Sequence, residues 1–192
     1  MLARAFVVVI AAVAAAGCAD SVRSAASVAT DRPAGVKETC ATRSEAGFPG
    51  AFSDRDNLVV GPLVMIGAAA FTPPDVVREY GGNKFPLLVR AGHRVTVQIT
   101  RPGPSKAALG YGPLPQGVIH VRDGHRVVTF VACRPDRDSG SDADGARVTF
   151  WSGFVLANSP DCVRLRVWID DRRTPRKAAV PLGRRCGHIP RS

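Results

Sequence analysis

The sequence predicts an all-β fold, an antiparallel β-sandwich with a layout of the immunoglobulin type as one option. Glycine and proline are abundant, with Gly 19 and Pro 15 among 192 residues, and both break helices and favour turns. Hydrophobic residues make up 45% of the chain, which is enough to build one packed core. Two segments alternate apolar and polar residues along a full strand length, and no long amphipathic helix pattern occurs.

Strand alternation is clearest in His93–Thr100 and in Cys162–Asp170. Their apolar positions predict one buried face on each strand. Shorter apolar runs between turn signals raise the prediction to about nine strands. These runs are Leu58–Ala69, Phe85–Arg90, Lys106–Tyr111, Val118–Arg122, Arg126–Cys133, Arg147–Leu156 and Pro175–Leu182.

Connections between the strands also leave a signature. Ala91-Gly92 and Arg122–His125 are expected to form tight turns. Pro73–Tyr80 predicts one short helical stretch, because proline suits the first turn of a helix. We expect this helix to be a connection outside the core.

The N-terminus has the layout of a secretory signal peptide over residues 1–17. A basic start at Arg4 precedes the apolar run Ala5–Ala16, which ends in small residues. The run is shorter than the roughly 20 apolar residues that a membrane-spanning helix needs. The sequence therefore predicts export.

Ala16-Gly17-Cys18 resembles the lipobox of bacterial lipoproteins, in which the cysteine is diacylated and becomes the first residue. Such an anchor would hold the protein on the outer face of the membrane. Plain secretion after cleavage near Ala16 is the alternative. We expect residues 18–51 to be a flexible tether and residues 52–192 to form the β-sandwich domain.

Four cysteines remain when Cys18 is set aside, and an exported chain with an even number is expected to form disulfides. Four cysteines allow three pairings. We favour Cys133 with Cys162, which would join the ends of the strands that flank the Arg147–Leu156 strand, and Cys40 with Cys186, which would clamp the domain's start to its end. Zinc is the rival explanation, but the spacings are wide and no CxxC pair is present.

Sequence motifs for catalysis are absent: no GxSxG, P-loop or HExxH occurs. His93, His120 and His125 would support an unrecognised hydrolase only if one of them met a carboxylate in a pocket. The acidic stretch Asp136–Gly145 lacks the bidentate acid of a calcium loop, so we expect a flexible hairpin loop there. We predict no enzyme, no cofactor and no bound metal.

A basic strand face is the remaining candidate for function. The chain has a formal charge of +10, and Arg164, Arg166 and Trp168 share the polar face of their strand. Arginine forks suit phosphate and carboxylate, and an exposed tryptophan can stack on a ring. The expected partners are an anionic wall polymer, a lipid head group, an acidic glycan or a protein, with no nucleic acid. The alternative is a solvated face that only keeps the sheet soluble.

Several segments resemble a family of uncharacterised exported proteins from high-GC Gram-positive bacteria. They are Gly61–Gly67, Val128–Cys133, Phe150–Phe154, Pro160–Val163 and Pro181–Cys186. The resemblance implies a cell-envelope β-domain with disulfides and no catalytic activity. The sequence thus predicts a cell-envelope lipoprotein that acts as a binding or structural module, with a secreted or anchored hydrolase as the alternative.

Overall fold

A computed structural model of the chain describes residues 32–103, 106–136, 141–143 and 145–187. These residues form strands, one short α-helix and two 3₁₀ turns. The strands are β1 (Val36–Glu38), β2 (Leu58–Val60), β3 (Leu63–Met65), β4 (Gly82–Lys84), β5 (Leu87–Arg90), β6 (Arg94–Arg101), β7 (Ala107–Tyr111), β8 (Val127–Val131), β9 (Ser141–Ala143), β10 (Ala146–Trp151), β11 (Gly153–Ala157), β12 (Asp161–Ile169) and β13 (Arg176–Leu182). The helix α1 spans Pro74–Tyr80, and the 3₁₀ turns span Cys40–Thr42 and Val121–Asp123.

Three sheets contain these strands. Sheet A has the order β1-β8-β6-β12-β13, sheet B has β2-β3-β5-β10-β9, and sheet C has β4-β11-β7. Neighbouring strands are antiparallel except β1, which runs parallel to β8. The predicted all-β, antiparallel fold is confirmed.

The main core lies where the inner faces of the three sheets meet. Sheet A contributes Val97 and Leu165, sheet B contributes Met65 and Leu87, and sheet C contributes Leu109, all with side chains essentially inaccessible to water. Burying side chains of this size contributes about 1.5 to 3 kcal/mol each. The arrangement is sandwich-like, with the apolar positions of the predicted alternating strands facing inward.

Two of the predicted strands are in fact pairs of strands. Leu58–Ala69 contains β2 and β3, which fold back on each other at Gly61, where φ is 60°. Arg147–Leu156 contains β10 and β11, which lie in different sheets. Gly153 opens β11 beside Tyr111, and a Cβ there would sit 2.2 Å from the tyrosine ring. Only glycine allows this close approach of the two strands.

Other local predictions are corrected by the structure. Val118–Arg122 is no strand, since its end forms the 3₁₀ turn Val121–Asp123. The helix is present as predicted and ends at Gly81, whose φ is 68°. However, α1 contributes to the core through Val77, which is 1% exposed, so it is more than a connection.

The folded domain begins well before residue 52. β1 starts at Val36 and pairs with β8, and the Ser44 amide donates to the Phe150 carbonyl at 2.8 Å. Ala51 is buried, together with Val64 and Leu88, on the outer face of sheet B. The flexible tether predicted for residues 18–51 is therefore wrong for residues 36–51. These residues are mostly small and polar, so their composition does not indicate the tertiary contacts that order them.

Two disulfides are present, as predicted, but both favoured pairings are wrong. Cys40 bonds to Cys133, and Cys162 bonds to Cys186, with Cα atoms 4.8 and 5.1 Å apart. β1 runs alongside β8 and so brings Cys40 to the end of that strand. The chain after β13 returns to the start of β12, where Cys162 lies. Disulfides form and persist in oxidising compartments, so the bonds indicate an extracytoplasmic location.

Residues 1–31, with the predicted signal peptide and Cys18, lie outside the described residues. Within the part that is described, no helix is long and apolar enough to cross a membrane.

Candidate anion-binding surface

Arg164 and Arg166 project from β12 on the outer face of sheet A, and both are exposed as predicted. Arg166 lies directly opposite Lys177 of β13, and Arg164 lies opposite Arg101 of β6. Both cross-strand pairs therefore join two cations. Like charges in this position repel each other and destabilise a sheet. An anion bound between them would relieve the repulsion.

A β-bulge places Arg101 in this group. The pairing register of β6 with β12 shifts between Arg164 and Leu165. The Thr100 hydroxyl donates a hydrogen bond to the Arg164 carbonyl at 3.2 Å. Bulges re-aim side chains at sheet edges. Strict alternation would turn Arg101 toward the core with Ile99, whereas the structure leaves it exposed.

The Cys162–Cys186 disulfide brings two more cations to the same place. It fastens the segment after β13 to β12, so that Arg184 and Arg185 line a cavity of about 480 Å³. Arg101, Lys106 and Arg164 line the same cavity. Five cations from three separate parts of the chain thus surround one concavity.

A second cavity of about 430 Å³ adjoins the first. Arg101 and Arg164 line both cavities, and Arg166 and Lys177 line the second. Because the two cavities share Arg101 and Arg164, we treat them together and call them the basic groove. It consists of Arg101, Lys106, Arg164, Arg166, Lys177, Arg184 and Arg185.

Little negative charge offsets the basic groove. Asp161 is the acid that lines it, and its Oδ1 accepts a hydrogen bond from the Cys162 amide at 2.7 Å. Among the described residues, none of the seven cations forms an ion pair. The Arg185 guanidinium carbon lies over the Phe71 ring, 5.3 Å from the ring centroid. The other exposed guanidinium groups have no ion-pair partner in the described structure and are available to bind phosphate or carboxylate from outside.

The prediction that Trp168 belongs to this surface is wrong. Trp168 shares the outer face of sheet A by alternation, but it is only 2% exposed and lies opposite the fully buried Thr96. Its indole nitrogen is buried and has no hydrogen-bond partner in the described structure. An indole covered in this way is not available to stack on a ligand.

The structure does bring one histidine to a carboxylate. His93 Nδ1 lies 2.8 Å from Asp170 Oδ2, and both side chains are about two-fifths exposed. Burial alone would raise the pKa of Asp170, but hydrogen bonds from the Arg94 amide and from His93 outweigh it and lower that pKa. Asp170 occupies the left-handed region with φ of 48°, which aspartate tolerates.

Within the described residues, neither a nucleophile nor a metal-ligand cluster accompanies this pair. In the described structure no hydroxyl or thiol group hydrogen-bonds to His93, so no nucleophile is in place. His120 and His125 lie elsewhere, at a 3₁₀ turn and in a bridge to Leu109. Groups of three or more metal-ligating side chains are also absent from the described residues. The predicted acidic loop Asp136–Gly145 lies partly outside them.

Sequence alternation identified only two of the seven cations as part of one site. The bulge breaks the alternation of β6, so the sequence does not indicate that Arg101 is exposed. Lys106 lies on a different part of the chain, directly before β7. Arg184 and Arg185 join the groove through a disulfide whose pairing the sequence does not specify. The sequence signal that was available is the Arg184-Arg185 pair next to Cys186.

No known family model matches this chain, and no curated protein or solved structure is significantly similar to it. The resemblance to an exported family stays a prediction.

Proposed function

We propose that the protein is a cell-envelope lipoprotein, anchored through Cys18 to the outer face of the membrane, that binds an anionic polymer in the basic groove. The main support for this proposal is the cross-strand register, which sets Arg101 opposite Arg164 and Arg166 opposite Lys177. A fold that only needed a soluble edge would gain stability by placing acids opposite these arginines.

The shape of the groove favours a linear polymer over a flat bilayer. Its two cavities follow one another and share Arg101 and Arg164, so successive anionic groups of one chain can occupy both. None of the exposed large hydrophobic residues of the described structure lines these cavities, and Phe71 lies beside them, under the Arg185 guanidinium. Phosphate or carboxylate groups repeated along a polymer match the row of cations.

Export and anchoring supply the setting. The two disulfides place the domain in an oxidising compartment outside the cytoplasm. The apolar run before Cys18 and the small residues beside it favour a diacylated first residue. A domain held there meets envelope polymers that carry phosphate or carboxylate.

The test uses the protein extracted from membranes, whose intact mass first shows whether the chain starts at a diacylated Cys18. Binding to long-chain polyphosphate and to poly-glutamate is then measured at several salt concentrations. We expect salt-sensitive binding that weakens roughly tenfold or more in the double variant Arg164→Ala/Arg166→Ala.

The matched control is Arg172→Ala/Arg173→Ala, which removes the same charge from exposed positions after β12 and outside the groove. It should retain nearly all of the affinity. An equal loss in both double variants would mean that net charge alone attracts the polymer, and the groove would then have no special role. A mass without acyl groups would overturn the anchor.

A further inference from the structure

A second groove separates the edges of two sheets. β13 ends sheet A and β2 ends sheet B, and the space between them has a volume of about 610 Å³. Lys177 and Ala179 line it from β13, and Leu58 and Val59 line it from β2. Edge strands carry backbone groups with no partner in their own sheet.

Thr72 shows which backbone groups of β13 face outward. Its amide donates to the Pro181 carbonyl at 3.1 Å, and its carbonyl accepts from the Gly183 amide at 3.0 Å. Backbone direction alternates along a strand, so the amide and carbonyl groups of Ala179 and Lys177 point to the same side as the Pro181 carbonyl. Thr72 thus pairs with the end of the edge as one residue of a parallel strand.

The edge remains unpaired beyond Thr72. In the described structure no backbone group outside β12 hydrogen-bonds to Lys177 or Ala179. Across the groove, Val59 is 41% exposed, an unusual position for a large apolar side chain in this domain. The groove therefore offers two hydrogen-bonding residues on one wall and an apolar contact on the other.

The charged residues that line this groove indicate which kind of ligand it can bind. Arg55, Arg176 and Lys177 line the groove against a single acid, Asp54, and all four are exposed. A second copy of this chain would bring the same cations into opposition, and both chains carry a formal charge of +10. An acidic segment in extended form matches both the charge and the free backbone groups.

We propose that the groove between β2 and β13 docks an extended acidic peptide segment of a partner protein, which adds a strand to sheet A beside Lys177 and Ala179. Backbone hydrogen bonds to the edge supply affinity, and apolar side chains of the peptide contact Val59. The proposal does not depend on the polymer binding proposed above.

The test measures binding of a fluorescent peptide in which glutamate and valine alternate. The variant Ala179→Pro removes one outward-facing amide and no charge, and proline is already present nearby at Pro181. We expect it to weaken peptide binding at least tenfold while binding of polyphosphate and the thermal midpoint stay unchanged. Val59→Glu should also weaken peptide binding, because it adds an acid at the apolar wall.

Val118→Glu is the matched control, since Val118 is 74% exposed and lies outside this groove. A second control is the same peptide with N-methyl groups on alternate amides, which should bind at least tenfold more weakly. Loss of peptide binding in Arg164→Ala/Arg166→Ala, with no effect of Ala179→Pro, would overturn strand addition and assign the peptide to the basic groove. Binding that appears only when residues 19–31 are deleted would show that this chain's own segment is the occupant, and would overturn a partner protein.

Discussion

The two disulfides lie in two different environments. We call them the N-terminal corner, around Cys40–Cys133, and the C-terminal corner, around Cys162–Cys186. At the N-terminal corner, Cys40–Cys133 lies in a packed region where Cys133 is 1% exposed and Trp151 is 2% exposed. At the C-terminal corner, Cys162–Cys186 holds exposed arginines around an open concavity. The first bond secures a core, and the second assembles a surface.

Local contacts reinforce this difference. The Trp151 indole nitrogen donates to the Thr39 carbonyl at 3.2 Å and to the Thr42 hydroxyl at 3.3 Å, and the Phe48 and Phe150 rings meet edge to face. Around Cys162–Cys186 the charged side chains are five cations and one acid, Asp161, so repulsion between cations predominates. A region in which like charges lower the stability of the fold is expected to bind a ligand, whereas the N-terminal corner is expected to stabilise the fold.

The largest expected effect comes from removing each disulfide as a pair of alanines. The bonds span 93 and 24 residues, so chain entropy predicts a loss of roughly 4 to 5 kcal/mol for Cys40→Ala/Cys133→Ala and roughly 3 to 4 kcal/mol for Cys162→Ala/Cys186→Ala. Urea denaturation measures both losses. Polymer binding, measured where both variants are folded, should weaken only without Cys162–Cys186. Equal weakening in both would remove the distinction between the corners.

A smaller effect separates the two buried tryptophans, both 2% exposed. Trp151→Phe removes the hydrogen bonds of the indole nitrogen to the Thr39 carbonyl and the Thr42 hydroxyl, although that carbonyl keeps the Thr42 amide and hydroxyl as donors. Trp168→Phe removes an indole nitrogen with no partner in the described structure. We expect Trp151→Phe to cost about 0.5 to 1.5 kcal/mol more in the free energy of unfolding. Comparison of the two midpoints in urea tests this, and an equal cost would mean that the hydrogen bonds to Thr39 and Thr42 contribute little.

The smallest effect has the opposite sign. Lys177→Glu places an acid directly opposite Arg166, so the pair becomes attractive and stability should rise by about 0.2 to 1 kcal/mol. Polyphosphate binding should weaken at the same time. Thermal unfolding and a binding titration on one preparation measure both changes. A variant that loses stability would show that the repulsion inferred from the cross-strand register is screened by solvent.

Hydrophobic alternation predicted the long strands and therefore the fold. β6 and β12 have enough residues to display a period of two, whereas β1, β4 and β9 have three residues each and display none. Alternation also assigns a side chain to a face without showing what covers that face, which is why Trp168 was predicted to be exposed. The cysteine pairing was wrong because it depends on a parallel contact between β1 and β8.

The candidate site was predicted only in part, for a related reason. Arg164 and Arg166 are two residues apart on one strand, so the sequence places them together. Arg101 joins them through a bulge, and Arg184 and Arg185 join them through a bond between distant cysteines. Such groupings arise from tertiary structure and leave no periodic signal along the chain.

The parallel pairing of β1 with β8 also imposes an order in time. A chain that is synthesised from its N-terminus presents residues 36–38 long before residues 127–131 exist to pair with them. Closing so long a loop is slow, and the Cys40–Cys133 bond has to wait for the same event. The first part of the domain to be made is therefore expected to be among the last to fold.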